Sequence, residues 1–332
     1  MILLATATAA AAVLTLATYA GCCGLLAQRF TRAERRRPLA GAGAADAGAE
    51  AVQFAARDGR ARISAWYLGL PAASARGAVV FVHGKDACRG DELKAPTFEL
   101  AERFRERGFA VLMIDLRGHG ASSPARLTYG GRERHDVQGA VDWLLERGYP
   151  ATRIGILGGS MDAGCALLAA ADATPVAALV LDSPYADFDA MIDRQFRRLS
   201  RGLPRALLPG ALAIARCWTG VDLCRVNPLA AARALRGTPM LVVHSAGDRL
   251  VPMADAQAIA RAGGGELWTT DSHGHLGSYA HAAEEYERRV LAFFATWLAA
   301  RREAAEPSRA SMPAGAQAGR TRSGVAAAQP QA

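Results

Sequence analysis

A serine in this chain lies where an apolar strand meets a helix built of small residues. The segment Gly158-Gly159-Ser160-Met161-Asp162 follows the apolar run 154–157 and opens the Ala-rich stretch 161–171. A sharp turn of this kind lifts the serine Oγ clear of the sheet, and the helix N-terminus offers backbone N–H groups to an oxyanion. Gly-x-Ser alone is common, but in this setting it predicts that Ser160 is a catalytic nucleophile.

A nucleophilic serine needs a base and an acid, and candidates for both follow it along the chain. Asp248 comes after the apolar strand 240–244 and precedes the histidines, so we predict that it orients the catalytic imidazole. Asp182, after the strand 178–181, is the alternative acid. His275 is the predicted base, because it follows a glycine and stands far enough past the last strand for a loop to swing back over the sheet. His273 is the alternative base.

The oxyanion donors are expected at two strand ends. His83-Gly84 directly follows the buried strand 78–82. We predict that the backbone N–H groups of Lys85 and Met161 bind the oxyanion, while His83 fixes the loop and transfers no proton. The Lys85 side chain is expected to face solvent or substrate.

Six segments, in this order, resemble the α/β-hydrolase superfamily, and within it the serine aminopeptidase-like or BEM46-like group of single-domain hydrolases. They are Val82-His83-Gly84, Asp115-Leu116-Arg117-Gly118-His119-Gly120, Glu133-x-x-Asp136, Gly158-Gly159-Ser160-Met161, Gly247-Asp248 with Val251-Pro252, and Gly274-His275. The likeness covers residues 51–300. It implies a serine hydrolase that forms an acyl-enzyme and a structural role for His119. Carboxylic esters, lipid-like acyl esters among them, are the expected substrates, with peptidase or thioesterase action as the alternative. No metal or organic cofactor is implied.

The chain departs from this family pattern at Asp162, where relatives usually have glycine. A carboxylate in a crowded turn is sterically awkward, and a negative charge near the oxyanion would oppose transition-state stabilisation. It could instead point away, bind a cation or cap the helix. Two hypotheses follow: an active hydrolase with an altered elbow, or a degenerate member that binds without catalysis.

Apolar strands alternate with helical patterns between residues 51 and 301, which we predict to be the folded domain. Strands are predicted at 61–66, 78–82, 110–115, 154–157, 178–181, 240–244 and 267–270, and helices at 94–107, 136–147, 161–171 and 284–300. This alternation favours an α/β fold with a mainly parallel sheet and helices on both faces. The stretch 185–235 interrupts the rhythm and predicts a small helical cap.

The N-terminal residues 1–28 form an uncharged apolar run that is long enough to cross a bilayer. A cleaved signal is the alternative, including a faint lipoprotein-like box before Cys22. Residues 29–50 form a basic juxtamembrane segment and linker, and the arginines following the apolar run favour an uncleaved anchor in a bacterial inner membrane with the domain in the cytoplasm. The tail 302–332 is expected to be disordered.

Charge and cysteine content narrow the possible partners. The formal net charge is +8, but no basic stripe is interleaved with stacking aromatics, so nucleic-acid binding is not expected. The expected partners are a small-molecule ester or amide and a membrane, and no pattern indicates an oligomeric state. Cys217 and Cys224 could form a disulfide in an oxidising compartment, although two unpaired thiols are the simpler interpretation.

Overall fold

The computed structural model describes residues 2–37 and 48–305. Residues 38–47 of the predicted linker and 306–332 of the predicted tail lie outside the described residues. The last helix continues to Ala305, five residues beyond the predicted end at 300.

Eight strands form one sheet in the order β1-β2-β4-β3-β5-β6-β7-β8. They are β1 (Glu50–Ala55), β2 (Arg62–Leu68), β3 (Gly77–Val82), β4 (Phe109–Ile114), β5 (Ile154–Gly159), β6 (Ala178–Asp182), β7 (Met240–Ser245) and β8 (Glu266–Thr270). β1 pairs with β2, and β2 with β4, in antiparallel fashion, whereas all other pairs are parallel. The prediction of a mainly parallel sheet is confirmed.

The central strands are apolar on both sides because both faces of the sheet are covered. In β3, Val80 and Val82 point into one hydrophobic core, whereas Val79 and Phe81 point into the other. All four side chains are fully buried. This double burial explains why β3 reads as a continuous apolar run rather than as an alternating one.

Ten helices accompany the sheet in the described part of the chain. They are α1 (Ile2–Thr31), α2 (Phe98–Glu106), α3 (Arg134–Glu146), α4 (Met161–Ala171), α5 (Phe188–Ser200), α6 (Leu208–Thr219), α7 (Pro228–Ala234), α8 (Met253–Gly263), α9 (Ser278–His281) and α10 (Ala283–Ala305). Residues of α2, α9 and α10 share one core, and residues of α1 and α3–α8 share the other. The sheet therefore has helices on both faces, as predicted.

The segment between β6 and β7 contains α5, α6 and α7, where the sequence predicted a cap. α7 packs on α4 and α8 of the body, while α5 and α6 contact α1. The first part of α1 is exposed, but Cys23, Leu26 and Phe30 near its end are buried. The end of α1 thus shares a core with the cap.

Three elements, namely β1, α8 and the short helix α9, were not predicted from the sequence. No strand was predicted over β1, although its pairing with β2 extends the sheet. α8 follows Pro252 and buries Ala256 and Ile259 against the sheet. α2 begins at Phe98 rather than at the predicted residue 94, because Lys94 has a left-handed backbone with φ 55° that a helix does not accept.

Candidate active site

Ser160 occupies a strained turn between β5 and α4. Its φ of 58° and ψ of −119° are unusual for a residue with a side chain, and its N–H donates to the Asp182 carbonyl at 2.7 Å. A Cβ at Gly158 would lie 2.7 Å from the Asp162 carbonyl oxygen, and one at Gly159 would lie 2.7 Å from the Glu92 carbonyl oxygen. Gly158 is therefore required for β5 and α4 to approach this closely, and Gly159 is required for the turn to pack against the loop after β3.

The structure brings Ser160, His275 and Asp248 into one hydrogen-bonded chain. His275 Nε2 lies 2.6 Å from Ser160 Oγ, and His275 Nδ1 lies 2.7 Å from Asp248 Oδ2. With Nδ1–H donating to the carboxylate, Nε2 is free to accept the serine proton. This is the arrangement that a nucleophile, a base and an orienting acid require.

Asp248 is held as an ion by its surroundings. Its Oδ1 accepts the backbone N–H groups of Leu250 at 2.8 Å and Val251 at 3.0 Å. Burial opposes ionisation, but the hydrogen bond and charge of His275, with these two amides, hold the pKa of Asp248 below its usual value. The carboxylate can therefore stabilise an imidazolium at neutral pH.

Asp182 and His273, the alternative acid and base, do not join the hydrogen-bonded chain of Ser160, His275 and Asp248. Asp182 is fully buried, and its carboxyl accepts the Ser183 hydroxyl at 2.9 Å. Burial raises the pKa of Asp182 to about 7, so it is poorly suited to stabilising a cation. The His273 side chain is exposed and packs beside Gly247, outside the cavity that Ser160 lines.

The loop after β3 is fixed by His83. This fully buried ring donates from Nδ1 to the Gly84 carbonyl at 2.8 Å, and its Nε2 accepts the Leu116 N–H at 3.0 Å. Burial, with the neighbouring His119, lowers the pKa of His83 to about 3, so the ring is neutral. The Gly84 carbonyl and the Lys85 N–H belong to one planar peptide, so His83 sets the direction of that N–H.

Lys85 and Met161, the residues predicted to supply the oxyanion donors, both line the cavity beside Ser160. Gly84, Lys85, Ser160 and Met161 line the same cavity. The Met161 N–H is the first of α4 and has no intrahelical acceptor. The Lys85 side chain is partly exposed and pairs with Asp86 at 2.5 Å.

Comparison with known proteins matches this architecture. The family model described as "Serine aminopeptidase, S33" matches residues 73–217. An esterase from Pyrococcus furiosus superposes with a TM-score of 0.64 at 23% identity, covering 81% of this chain and 99% of that one. The α/β hydrolase GrgF from a Penicillium species superposes with a TM-score of 0.59 at 20% identity, covering 76% and 99%. The chain therefore has the α/β-hydrolase fold, and its residues 73–217 are similar to the serine aminopeptidase family.

A sequence relative of this chain is the uncharacterized protein YqkD of Bacillus subtilis. It is 29% identical over 194 residues. These residues make up 57% of this chain and 63% of YqkD, so the match spans less than two thirds of that relative's length.

The cavity beside Ser160 has a volume of about 270 Å³ and lies between the ends of the strands and the cap helix α5. Much of its wall is apolar. The larger aliphatic lining residues are Met161, Met191, Leu199, Leu250, Val251 and Leu276. Such a wall suits an uncharged acyl group beside the serine.

Asp162 turns away from this cavity. Its carboxyl is fully buried, with Oδ1 accepting the Cys165 thiol at 3.2 Å and Oδ2 4.0 Å from His83 Nδ1. Burial, reinforced by the charges of Glu133 and Asp136, raises the pKa of Asp162 well above its usual value. The environment therefore favours the protonated form, which places no negative charge behind the oxyanion site.

Several residues at the site were not found from the sequence. Tyr129 lines the cavity and donates its hydroxyl to the Phe30 carbonyl at 3.0 Å, which ties the cavity wall to the end of α1. Glu92 is a buried cavity residue whose carboxyl accepts the Gly90 N–H. Met191 reaches the cavity from the cap. No motif marks these positions, because each depends on contacts between distant segments.

The motif residues outside the cavity hold the loops around it. Arg117 forms ion pairs with Asp58 at 2.9 Å and Asp136 at 2.8 Å. His119 is buried against His83, in keeping with the structural role implied by the resemblance. Glu133 accepts the N–H groups of Thr128 and Gly130. These contacts position the loops but do not reach the reacting atoms.

The remaining predicted chemistry concerns the thiols. Cys217 and Cys224 are both exposed and are not bridged to each other. Across residues 2–37 and 48–305, no group of three His, Cys, Asp or Glu side chains is arranged to hold a metal ion.

Proposed function

We propose that this hydrolase is a membrane-anchored serine esterase that cleaves carboxylic esters through an acyl-enzyme. The observation that carries the proposal is the 2.6 Å contact between Ser160 Oγ and His275 Nε2, with His275 Nδ1 2.7 Å from Asp248. The likeness in fold to an enzyme named as an esterase is consistent with this chemistry.

In the first half of the reaction, Ser160 Oγ attacks the ester carbonyl while His275 Nε2 takes the hydroxyl proton. The carbonyl oxygen gains the electron pair and receives hydrogen bonds from the N–H groups of Lys85 and Met161. When the tetrahedral intermediate collapses, the bond to the alcohol oxygen breaks. His275 gives its proton to the departing alcohol, which leaves an acyl group on Ser160.

In the second half, water takes the place of the alcohol. His275 removes a proton from water, and the hydroxide formed attacks the acyl carbonyl. The second tetrahedral intermediate expels Ser160 Oγ, which recovers the proton from His275. The products are a carboxylic acid and the free enzyme. Asp248 keeps the imidazole in the correct tautomer throughout and offsets its positive charge.

Asp162 bears on the choice between an active and a degenerate hydrolase. Its carboxyl does not line the cavity, and its buried environment favours the uncharged form. An uncharged side chain behind the elbow leaves the N–H groups of Lys85 and Met161 free to act on the oxyanion. We therefore favour the active enzyme.

The test is hydrolysis of p-nitrophenyl acyl esters from C2 to C16 by the full chain, with fluorophosphonate labelling of the serine. We expect turnover and labelling in wild type, and loss of both in Ser160→Ala. His273→Ala is the matched control for His275→Ala: only the latter should lose activity. An aminoacyl p-nitroanilide distinguishes peptidase from esterase action. Absence of both ester turnover and labelling in wild type would refute the proposal.

The Asp162→Gly variant separates the two hypotheses about the elbow. An active wild type should label as well as the glycine variant, because the carboxyl lies outside the cavity. Labelling that is absent in wild type and gained in Asp162→Gly would show that the carboxyl disables the elbow.

The membrane part of the proposal rests on α1. This helix is long and apolar enough to cross a membrane, and its first residues are exposed. Its last part buries Cys23, Leu26 and Phe30 against the domain, so removal of the whole helix would expose an apolar surface on the cap. We expect α1 to stay attached, with the domain on the cytoplasmic side of a bacterial inner membrane.

Intact-mass measurement of the membrane-extracted protein checks whether the chain is cleaved. We expect the mass of the whole chain, whereas a mass lacking the first twenty or so residues would indicate a processed signal. Reporter fusions at the C-terminus decide the side of the membrane. A periplasmic reporter signal would contradict the cytoplasmic orientation.

A further inference from the structure

A basic groove lies where α1 leaves its apolar stretch and joins the domain. It has a volume of about 980 Å³ and is walled by the end of α1, the loop after β3, the loop after β4 and the end of α5. Seven cationic side chains line it, namely Arg29, Arg32, Arg35, Lys85, Arg126, Arg198 and Arg201. The acidic lining residues are Glu34 and Asp86. The groove therefore has a strong excess of positive charge.

Most of this charge is not neutralised within the described part of the chain. Lys85 pairs with Asp86, but none of the six arginines forms an ion pair with a described carboxylate. Instead, Arg29 donates to the Ser200 carbonyl at 2.9 Å, and Arg35 donates to the Gly120 carbonyl at 2.8 Å. Bonds to neutral carbonyls fix these guanidinium groups and leave their charge available to a ligand.

The third fixed arginine lies across the groove. Arg126 donates to Gln28 Oε1 at 3.0 Å and to the Thr31 hydroxyl at 3.1 Å, and it stacks over the Trp218 ring at 4.2 Å. Arg32 and Arg201 are exposed, and their side chains donate no hydrogen bond within the described residues. The groove thus combines guanidinium groups held in place with others free to adjust to an anion.

The groove and the catalytic cavity adjoin each other. Lys85, Asp86, Arg198 and Leu199 line both. Lys85 also carries the N–H that we assign to the oxyanion site. A molecule whose ester bond lies at Ser160 can therefore extend from an apolar chamber into a basic one.

The course of α1 places the groove near the level of lipid headgroups. If the apolar helix crosses a bilayer from Ile2 to Gly21, Arg29 lies about 12 Å farther along the axis, given a rise of 1.5 Å per residue. Basic side chains at this depth attract anionic headgroups. A substrate can then reach Ser160 without leaving the membrane surface entirely.

From these contacts we infer that the groove is a headgroup subsite and that the substrate is an acyl ester of an anionic amphiphile. The acyl chain lies in the apolar cavity, the ester carbonyl lies at Ser160, and the negative group binds the arginines. This inference rests on the proposed esterase function. It adds a charge requirement that a triad and an apolar cavity do not impose.

The experiment compares two lysolipids with the same oleoyl chain in the full-length protein in neutral detergent. Lysophosphatidylglycerol is anionic, whereas lysophosphatidylcholine has no net charge. The test variant is Arg32→Gln with Arg201→Gln, and the matched control is Arg60→Gln with Arg197→Gln, two exposed arginines outside the groove. Released oleate gives kcat/KM for each lipid. Binding of both lipids to Ser160→Ala forms is measured separately.

Wild type and the control should prefer the anionic lipid, and the preference should weaken in high salt. The test variant should lose roughly five-fold of that preference, the combined effect of two exposed charge pairs. Equal kcat/KM for both lipids in wild type, or a preference untouched in the test variant, overturns the inference while short neutral esters still report an active triad. If wild type cleaves no ester, the esterase proposal fails. The binding measurement then tests the subsite by itself: equal affinity of the Ser160→Ala forms for the anionic and the neutral lipid overturns it as well.

Discussion

Replacing Asp162 by Asn should make the protein progressively more stable than wild type as the pH rises. In the folded protein, burial raises the pKa of Asp162 well above its usual value. In the unfolded chain the same carboxyl titrates near pH 4. Above that pH the unfolded chain releases a proton that the folded protein keeps, so it binds fewer protons, and the stability of wild type falls. Asn carries no such proton.

The size of the effect follows from one proton. While Asp162 stays protonated in the folded state, each pH unit above about 4 changes the free energy of unfolding by about 1.4 kcal/mol. For a domain of this size that corresponds to roughly 3–6 °C in Tm per pH unit. Asn has nearly the same shape, and its side-chain oxygen can still accept the Cys165 thiol. A constant packing difference between the variants therefore cancels in the pH dependence.

The assay is thermal unfolding of the full chain in detergent at pH 5, 6 and 7, followed by circular dichroism. The Tm of Asp162→Asn minus that of wild type should grow with pH. Asp271→Asn, at an exposed position, is the control and should show a flat difference. A difference for Asp162→Asn that is flat or shrinks with pH would show that the folded protein holds an ionised carboxylate at this position. A negative charge beside the Ser160 turn would then oppose stabilisation of the oxyanion.

Three further predictions concern the elbow, the triad and the contact with α1. Asp248→Asn should lower kcat for ester hydrolysis by roughly 10³–10⁴-fold with little change in Tm, because the imidazole loses its orienting anion; an effect below ten-fold would argue for another acid. Gly158→Ala should lose folded, active protein, since the new Cβ would lie 2.7 Å from a backbone oxygen of α4, whereas Gly274→Ala, with nothing within 4 Å, should express normally. Tyr129→Phe should lower the stability of the full chain by about 1 kcal/mol, measured by denaturant unfolding, because it removes one buried hydrogen bond to α1; an unchanged midpoint would show that this bond does not hold the helix.

Local patterns were sufficient to predict the fold. The parallel strands were readable because burial on both faces leaves almost no polar residue in them, as in β3 and β4. β1 was missed because it is a half-exposed edge strand without a continuous apolar run. The turn that holds Ser160 could also be predicted from local sequence, because the two glycines and the start of α4 lie within a few residues of the serine.

The pairing of side chains at the site was decided only by tertiary structure. His273 and His275 lie two residues apart in one loop, and the sequence favoured His275 only through the preceding glycine and its distance past the last strand. The path of the loop beyond β8 settles this geometry, placing His275 at Ser160 and Asp248 and leaving His273 exposed.

For Asp162 and α1, too, the sequence determined one part of the description and the tertiary structure decided the other. The sequence by itself determined that a carboxyl stands in the elbow and that an apolar helix precedes the domain. The direction of that carboxyl, and the contact of α1 with the cap, depend on segments far apart in the chain, namely His83 and Gly210. Sequence periodicity records which face of an element is buried, but not which distant element covers it. Only the folded structure brought those partners together.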